Sequence, residues 1–304
     1  MGHVVAHSDS DQRATDIFER HRPMLQGVAY RMLGRVMDAE DVVQEAWIRW
    51  HGVDRDQVRE PAAYLVRITT RLALDRLDQA QYRRETYVGP WLPDPLETDL
   101  LGEPVPDTAE RITLAESVSV AVLVVLESLS PLERAVFVLR EAFAYPYAEI
   151  AEILERSESA VRQLARRARA HVDEHRPRFD ADPGERRELT ERFLAATVNG
   201  DLQGLLAVLA PDARLVGDSG GKAKAPRRVL HSADKVARFL AAVGTNPLPD
   251  PTVLLREVNG APGVVILSEG RPDSVFQLEV EDGLVRTVYI MRNPERLAHL
   301  TPLT

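Results

Sequence analysis

The chain has 304 residues, 44% of them hydrophobic, and a formal net charge of −9, which is long enough for two or three domains with real cores. No apolar run reaches bilayer-spanning length, the first ten residues lack the basic-then-apolar order of a signal peptide, and the absence of cysteine excludes disulfides and thiolate metal sites, so a cytoplasmic protein without membrane contact is expected. The acidic balance argues against bulk nonspecific nucleic-acid binding, so any DNA contact must come from local basic faces.

Residues 13–84 read as helix throughout. Ile17, Phe18, Met24, Leu25, Val28, Ala29, Met32 and Leu33 form one stripe at helical period, ending near Gly34. Asp38 is read as the cap of a second helix running to Trp50. On it Asp38, Asp41 and Glu45 share a face, followed by Arg49, while Val42, Val43, Ala46 and Trp47 turn inward. Such a row of carboxylates is either solvated or a docking surface for a basic partner. After a polar loop, Pro61 opens a third helix, with Tyr64, Leu65, Ile68, Leu72 and Leu77 as its apolar side. Arg67, Arg71, Arg76, Arg83 and Arg84 against Asp75 and Asp78 give it a local net charge of +3, and Thr69, Thr70 and Tyr82 are interleaved. A face of that kind can hold melted DNA by phosphate pairing and stacking. A salt-bridged surface helix is the alternative.

Residues 85–110 contain five prolines, seven acids and no basic residue, the composition of an extended linker. Trp91 and Leu92 are too apolar for a purely solvated tether and are expected to pack on something. Ser130-Pro131-Leu132-Glu133 then spells a capping box with proline at the first helical position. The stretch 147–171 reads as helix, tight turn and helix, the second one capped by Ser157. Val161, Leu164, Ala165, Ala168 and Val172 fall on one stripe, and Arg162, Gln163, Arg166, Arg167 and Arg169 on the other. A second helix of this size suits the major groove. An amphipathic helix in an ordinary bundle is the competing reading, and Glu155 stands in the turn where glycine is easiest.

The remaining residues differ in kind. Helices near 185–199 and 202–209 precede a strand near 214–217. A helix at 233–243 is followed by alternating runs at 253–258, 264–268 and 274–280. Asp282-Gly283 is a hairpin turn, 285–292 a last strand, and Asn293 caps a closing helix to Leu300. Helices followed by a curved antiparallel sheet make an α+β cone, a shape that commonly encloses a pocket. All three lysines, Lys222, Lys224 and Lys235, fall in this part. Gly217 to Gly221 also spells a protease nucleophile loop, but no matching scaffold surrounds it. Asp218 and His231 are the candidates for proton transfer; read structurally, they are a turn residue and a helix-entry residue. No metal or nucleotide motif is present, and no cofactor is expected.

Two helical units, each with a basic face and joined by a proline-rich linker, resemble an extracytoplasmic-function (ECF) sigma factor. The run from Ser130 to Glu141, through Tyr147 to Leu154, to Ser159 to Leu164 resembles region 4. Tyr87 to Pro95, Asp218-Ser219-Gly220-Gly221-Lys222 and Asn293-Pro294-Glu295-Arg296-Leu297 resemble signatures of the subgroup with a C-terminal SnoaL-like domain, the SigJ type. Ser219, Glu295 and Arg296 depart from those signatures but keep charge and turn character, and Glu155 departs from the turn glycine of region 4.

The resemblance implies a multidomain fold: two all-α domains followed by an α+β SnoaL-like, NTF2-like cone. Region 2 would span 13–85, a linker 86–108, region 4 109–176 and the cone 183–304. It implies a non-enzymatic factor that binds core RNA polymerase at the β′ clamp helices and the β flap and initiates transcription at specific promoters. Asp38, Asp41, Glu45 and Arg49 would meet the polymerase. Arg67, Thr70, Arg71, Arg76, Arg83 and Arg84 would handle the melted −10 element. Ser159, Arg162, Gln163, Arg166 and Arg167 would read the −35 element. Trp91, Leu92, Pro93, Asp218, Gly220, Gly221, Lys222, Asn293, Pro294 and Leu297 would carry the contact between cone and linker, and the cone could take a small-molecule ligand. A helix-turn-helix regulator with a ligand-binding domain is the alternative; a SnoaL-like enzyme tethered to DNA is a lesser one. The acidic face and the basic third helix argue against a simple regulator, which needs neither.

Overall fold

The computed structural model describes residues 2–54, 58–85, 87–97, 118–175, 182–246 and 248–300, and side chains within these except at 2–10 and 78–85. They fall into two compact units. The first comprises the described residues up to 83 together with 125–175, the second those of 84–97, 118–124 and 182–300.

The first unit is helical: α1 (Gly2–Leu33), α2 (Val36–His51), α3 (Pro61–Glu85), the end of α4 (Val120–Leu126), α5 (Pro131–Phe137), a π-helical turn (Val138–Ala142), α6 (Tyr147–Leu154) and α7 (Glu158–His175). Phe18, Leu25, Val28, Met32 and Leu33 of α1 are buried with Val42, Val43 and Ala46 of α2, the outcome of two amphipathic stripes meeting. Trp50 lies deeper than Trp47, which the sequence reading placed in the core. Trp50 is 1% exposed and its indole N–H donates to the Ala14 carbonyl at 2.9 Å. Trp47 instead sits half-buried, edge-on to Phe18 with ring centroids 5.0 Å apart. Asp38 does not cap α2. The helix begins two residues earlier, with Arg35 as an N-cap that makes no side-chain capping bond, and Asp38 lies in the first turn, where a negative charge suits the helix dipole.

Arg134 is 3% exposed. Its guanidinium donates to the carbonyls of Leu126 and Met32, each at 2.7 Å. These are terminal carbonyls of α4 and α1, so one cation satisfies two helix C-termini. The capping box at Ser130 and Glu133 is formed. So is the Ser157 cap, whose hydroxyl accepts from the Ala160 N–H at 3.2 Å. Glu155 adopts φ 53, ψ 49, the left-handed region, which costs a non-glycine residue about 1–2 kcal/mol. Its carboxylate receives Arg71 of α3 at 2.6 Å, while the Arg71 Nε donates to the Ile153 carbonyl at 3.2 Å. A glycine would fit the backbone but could not bind Arg71.

The second unit holds α8 (Pro183–Val198), α9 (Leu202–Val208), β1 (Leu209–Asp218), β2 (Leu230–His231), α10 (Ala233–Gly244), β3 (Pro251–Val258), β4 (Ala261–Ser268), β5 (Arg271–Glu281), β6 (Leu284–Met291) and α11 (Pro294–Leu297). The sheet order is β2-β1-β6-β5-β4-β3. β1 and β6 are parallel, and the other neighbours antiparallel. Asp282-Gly283 makes its hairpin with φ 52 and 71, as a two-residue turn of this hand requires.

The strands do not alternate between core and water as the sequence reading expected. Leu215, Val264, Phe276, Val288 and Ile290 pack on Phe193, Leu205, Val236 and Leu240 of the helices. Val265, Leu267, Val275, Tyr289 and Met291 form a second core with Leu92, Val120, Ala121, Leu297 and Leu300. The sheet is therefore apolar on both faces, and both are covered. The linker part 87–97 and the start of α4 belong to this unit, where the sequence expectation counted 86–108 as a separate linker in contact with the cone.

Glu155→Val should lower stability by about 2 kcal/mol, because a β-branched residue resists the left-handed region and loses the ion pair. Glu155→Gly should change it by less than about 1 kcal/mol, since relief of strain offsets loss of an exposed pair. Chemical denaturation of the full chain checks both.

Candidate functional site

The basic faces and the acidic face all lie on the first unit. Along α7, Ser159, Arg162, Gln163, Arg166 and Arg167 are all exposed, while Val161, Ala165, Ala168 and Val172 are buried. The helix thus presents one polar side and packs the other. Arg162 lies over the Tyr147 ring at 4.6 Å and pairs with Glu158, its Nε at 3.0 Å. Arg167 pairs with Glu133 at 2.8 Å and Arg169 with Glu141 at 2.6 Å. Ser159 meets the Ser157 hydroxyl at 3.0 Å. Arg162 and Arg167 are thus each held in place by a neighbouring carboxylate.

On α2, Asp41 is exposed, Glu45 is half-exposed and pairs with Arg49 at 3.1 Å, and Asp38 is buried. Arg76 of α3 donates to Asp41 at 2.8 Å and lies 4.0 Å from Asp38. The acidic face and the basic helix, read separately in the sequence, are joined by this pair. Met37 and Ile48, at 55% and 58% exposure, add apolar area to α2.

Arg67 lies over Tyr64 at 5.6 Å, and Arg71 is held by Ile153 and Glu155. Thr70 corrects the sequence expectation: it is 0% exposed, as is Thr69, and neither hydroxyl has a partner in this conformation. A side chain on the packed side of α3 offers nothing to DNA here. The side chains of Arg83 and Arg84 lie outside the described residues.

In the second unit a polar cluster fastens the linker to the cone. Asp218 ends β1 and is fully buried; it is no turn residue. It accepts from the Tyr87 hydroxyl at 2.5 Å, the Leu92 N–H at 2.7 Å and Arg296 at 2.6 Å. Arg296, 2% exposed, also reaches Asp94 at 2.6 Å and the Leu92 carbonyl, and stacks over Trp91 at 3.9 Å. Asn293 donates to the Tyr87 oxygen at 2.8 Å and caps α11 by accepting from the Glu295 N–H. Gly220, at φ 56, leaves no room for a side chain: a Cβ there would lie 2.6 Å from the Asn293 amide and 2.8 Å from the Tyr87 hydroxyl. Gly221, at φ 75, lies against Val88. Lys222 pairs with Glu295. Leu92 and Leu297 are buried in the second core, Pro93 is buried, and Pro294 is exposed at the first turn of α11.

Burial pushes the Asp218 carboxyl above its ordinary value, against the pull of Arg296, the Tyr87 hydroxyl and the Leu92 N–H. Arg296 loses by burial but is held above its ordinary value by Asp94 and Asp218. Tyr87 is raised, chiefly by burial and then by Asp218.

A second clamp is formed by Asn259, fully buried at the β3–β4 turn. Its N–H donates to the Leu96 carbonyl at 2.7 Å. Its side chain accepts from the Leu96 N–H and donates to the Val118 carbonyl, each at 3.0 Å. Asn259, Tyr87, Asp94 and Arg296 were not singled out as site residues in the sequence; Arg296 showed only as a basic residue inside a short motif. His231, one of the candidates for proton transfer, is exposed. The cavity lined by Ser119, Thr190, Gln277, Glu279 and Tyr289 measures about 30 Å³, room for a water and far below the size of an organic-ligand pocket.

Residues 17–83 match the family model for sigma-70 region 2, and residues 119–172 that for sigma-70 region 4. The ECF RNA polymerase sigma factor SigJ of Mycobacterium tuberculosis is 40% identical over 290 residues, which cover 92% of this chain and 91% of SigJ. The chain belongs to the ECF RNA polymerase sigma factors. This sigma factor is also 34% identical over 280 residues to the probable ECF sigma factor SigI of the same species, covering 91% of the chain and 92% of SigI. The crystal structure of M. tuberculosis SigJ superposes with a TM-score of 0.72 at 36% identity, covering 95% of this sigma factor and 100% of that chain.

Replacing Arg296 by methionine leaves Asp94 and Asp218 buried without their cation and should cost about 3–5 kcal/mol. Asp218→Asn keeps Arg296 paired with Asp94 and should cost less. Because the folded value of Asp218 is raised, its contribution is full below the ordinary carboxylate range and declines as pH rises through the folded value. Thermal unfolding of wild type and Asp218→Asn from pH 3 upward should therefore show the difference shifting toward the variant as pH rises.

Proposed function

We propose how this RNA polymerase-binding transcription initiation factor divides its work among its surfaces. The α2 face, with Asp41, Glu45, Arg49 and the exposed Met37 and Ile48, docks on the β′ clamp helices of core polymerase. Charged groups around apolar ones make a surface fit for a partner. Asp38, buried beneath them, orients Arg35 and Arg76. Arg67, Arg71, Arg76, Arg83 and Arg84 hold the −10 element, Ser159, Arg162, Gln163, Arg166 and Arg167 read the −35 element, and region 4 meets the β flap. The observation that carries the reading is the exposed side of α7, five polar residues on a helix whose other side is buried in a helix-turn-helix. The cytoplasm, where promoter DNA lies, is the proposed location.

In the free chain Arg71 is bound to the α6–α7 turn and Arg76 to Asp41. Both must be released before they hold DNA. Docking of Asp41 on the polymerase would free Arg76, coupling assembly to promoter opening. The cone acts as a regulator, not a catalyst. Asp218, its candidate acid, is enclosed by Tyr87, Leu92 and Arg296, which leaves no edge for a substrate. It regulates by holding residues 87–97, the chain that follows α3 directly.

Run-off transcription with purified core RNA polymerase tests the whole. Reversing Asp41 and Glu45 to lysine should abolish assembly with core enzyme while leaving the fold intact, because exposed charges contribute little to stability. Arg166→Ala should weaken upstream-element binding by about 1–3 kcal/mol if the arginine reads a guanine. An equal loss on every sequence would make it a phosphate contact. Asp218→Ala combined with Arg296→Ala, which unfastens the linker, should change the transcription level without changing the promoter chosen.

A further inference from the structure

We propose that the loop 222–228, between β1 and β2, is a third DNA-binding surface of this sigma factor: a sequence-independent contact to duplex phosphates. The proposal rests on the sigma-factor function above. The loop reads Lys-Ala-Lys-Ala-Pro-Arg-Arg, with four cations and no acid, in a chain of net charge −9. Lys222, Lys224, Arg227 and Arg228 are all exposed. Lys222 is paired with Glu295. Lys224, Arg227 and Arg228 have no ion-pair partner among the described residues. That is unlike much of the surface, where Arg49, Arg187 and Arg238 each sit against a carboxylate one helical turn away.

The loop is held, not free. The Gly220-Gly221 turn is closed by the Lys222 N–H on the Ser219 carbonyl at 2.9 Å. Arg292, itself fixed by Asp273 at 2.7 Å, donates to the Lys224 carbonyl at 2.8 Å. Pro226 covers Gly217, where even a Cβ would come within 3.0 Å of its ring. The backbone of Arg227 lies against Gly89. Each anchor uses backbone or proline, and none engages the cationic groups of Lys224, Arg227 and Arg228. Cations fixed in place lose less freedom when they meet a polyanion.

The chemistry selects the kind of partner. The loop has no aromatic side chain on which a base could stack and no helix to enter a groove, so it is suited to phosphates along a duplex and carries no sequence information. Such a phosphate contact would add affinity for promoter DNA of any flanking sequence.

The test uses the full chain assembled with core RNA polymerase, and a labelled random-sequence DNA duplex as probe. Lys224→Gln, Arg227→Gln and Arg228→Gln are combined, leaving Lys222 and every anchor intact. Three lost phosphate contacts should reduce the slope of log affinity against log salt by about 2–3, at about 0.9 per contact. The same loss should appear on a second duplex of scrambled sequence. An unchanged slope with a folded variant, judged by circular dichroism, overturns the proposal. So does failure of the variant to assemble with core enzyme at wild-type strength, since the loop would then be a protein contact. If the wild-type chain itself fails to co-elute with core enzyme, the sigma-factor function falls, and the loop is then judged by the salt slope of the free chain alone.

Discussion

A sheet that is apolar on both faces cannot be left half-covered. In this protein α8, α9 and α10 cover one face, and the other would expose Val265, Leu267, Val275, Tyr289 and Met291 to water without Leu92, Val120 and Ala121. The cost of stripping even a few such side chains, about 1.5–3 kcal/mol for each, is a large fraction of the stability of an ordinary domain. The linker is therefore structural. Its apolar residues complete a core, and its polar groups close around Asp218, Asn259 and Arg296.

That requirement explains an otherwise costly arrangement. Asp94 of the linker, Asp218 at the end of β1 and Arg296 of α11 are buried together. A buried ion pair is seldom the most stabilising choice for a site. What it supplies here is direction: Tyr87 meets Asp218 and Asn293, Leu92 meets Asp218 and Arg296, and Asp94 meets Arg296, so the linker docks in one register where a purely apolar contact would allow it to slide. Gly220 is part of the same fit, since Asn293 and Tyr87 close over the space a side chain would take.

Much of this was legible in the sequence, for local reasons. Helical period exposed the stripes of α1 and α7, and cap chemistry placed Ser130, Ser157 and Asn293. The basic side of α7 needed only the spacing of its arginines. What local pattern could not give was contact between distant residues. Asp218 precedes two turn-forming glycines and so reads as part of the turn, whereas its partners Tyr87 and Leu92 lie 131 and 126 residues away. Val264 to Leu267 reads as an ordinary strand until a cover for its second face is found, and that cover comes from the linker. Thr70 reads as polar surface on a helix with five arginines, but helix packing buries it. Glu155 looks like a defect in the turn until Arg71 is seen to bind it.

The clamp at Asn259 bears on how this chain can vary. One asparagine side chain holds the backbone of both Leu96 and Val118. Two stretches far apart in the chain therefore share a single fixing point, and a change at Asn259 is felt by both at once. An apolar residue there would leave the Leu96 N–H and the Val118 carbonyl without this partner in a buried place, each at a cost of about 1–3 kcal/mol. Substitutions a few residues outward, at Leu92 or Val120, would strike the core itself. A position on the β3–β4 turn, with no chemistry of its own, is thus among the least free to vary.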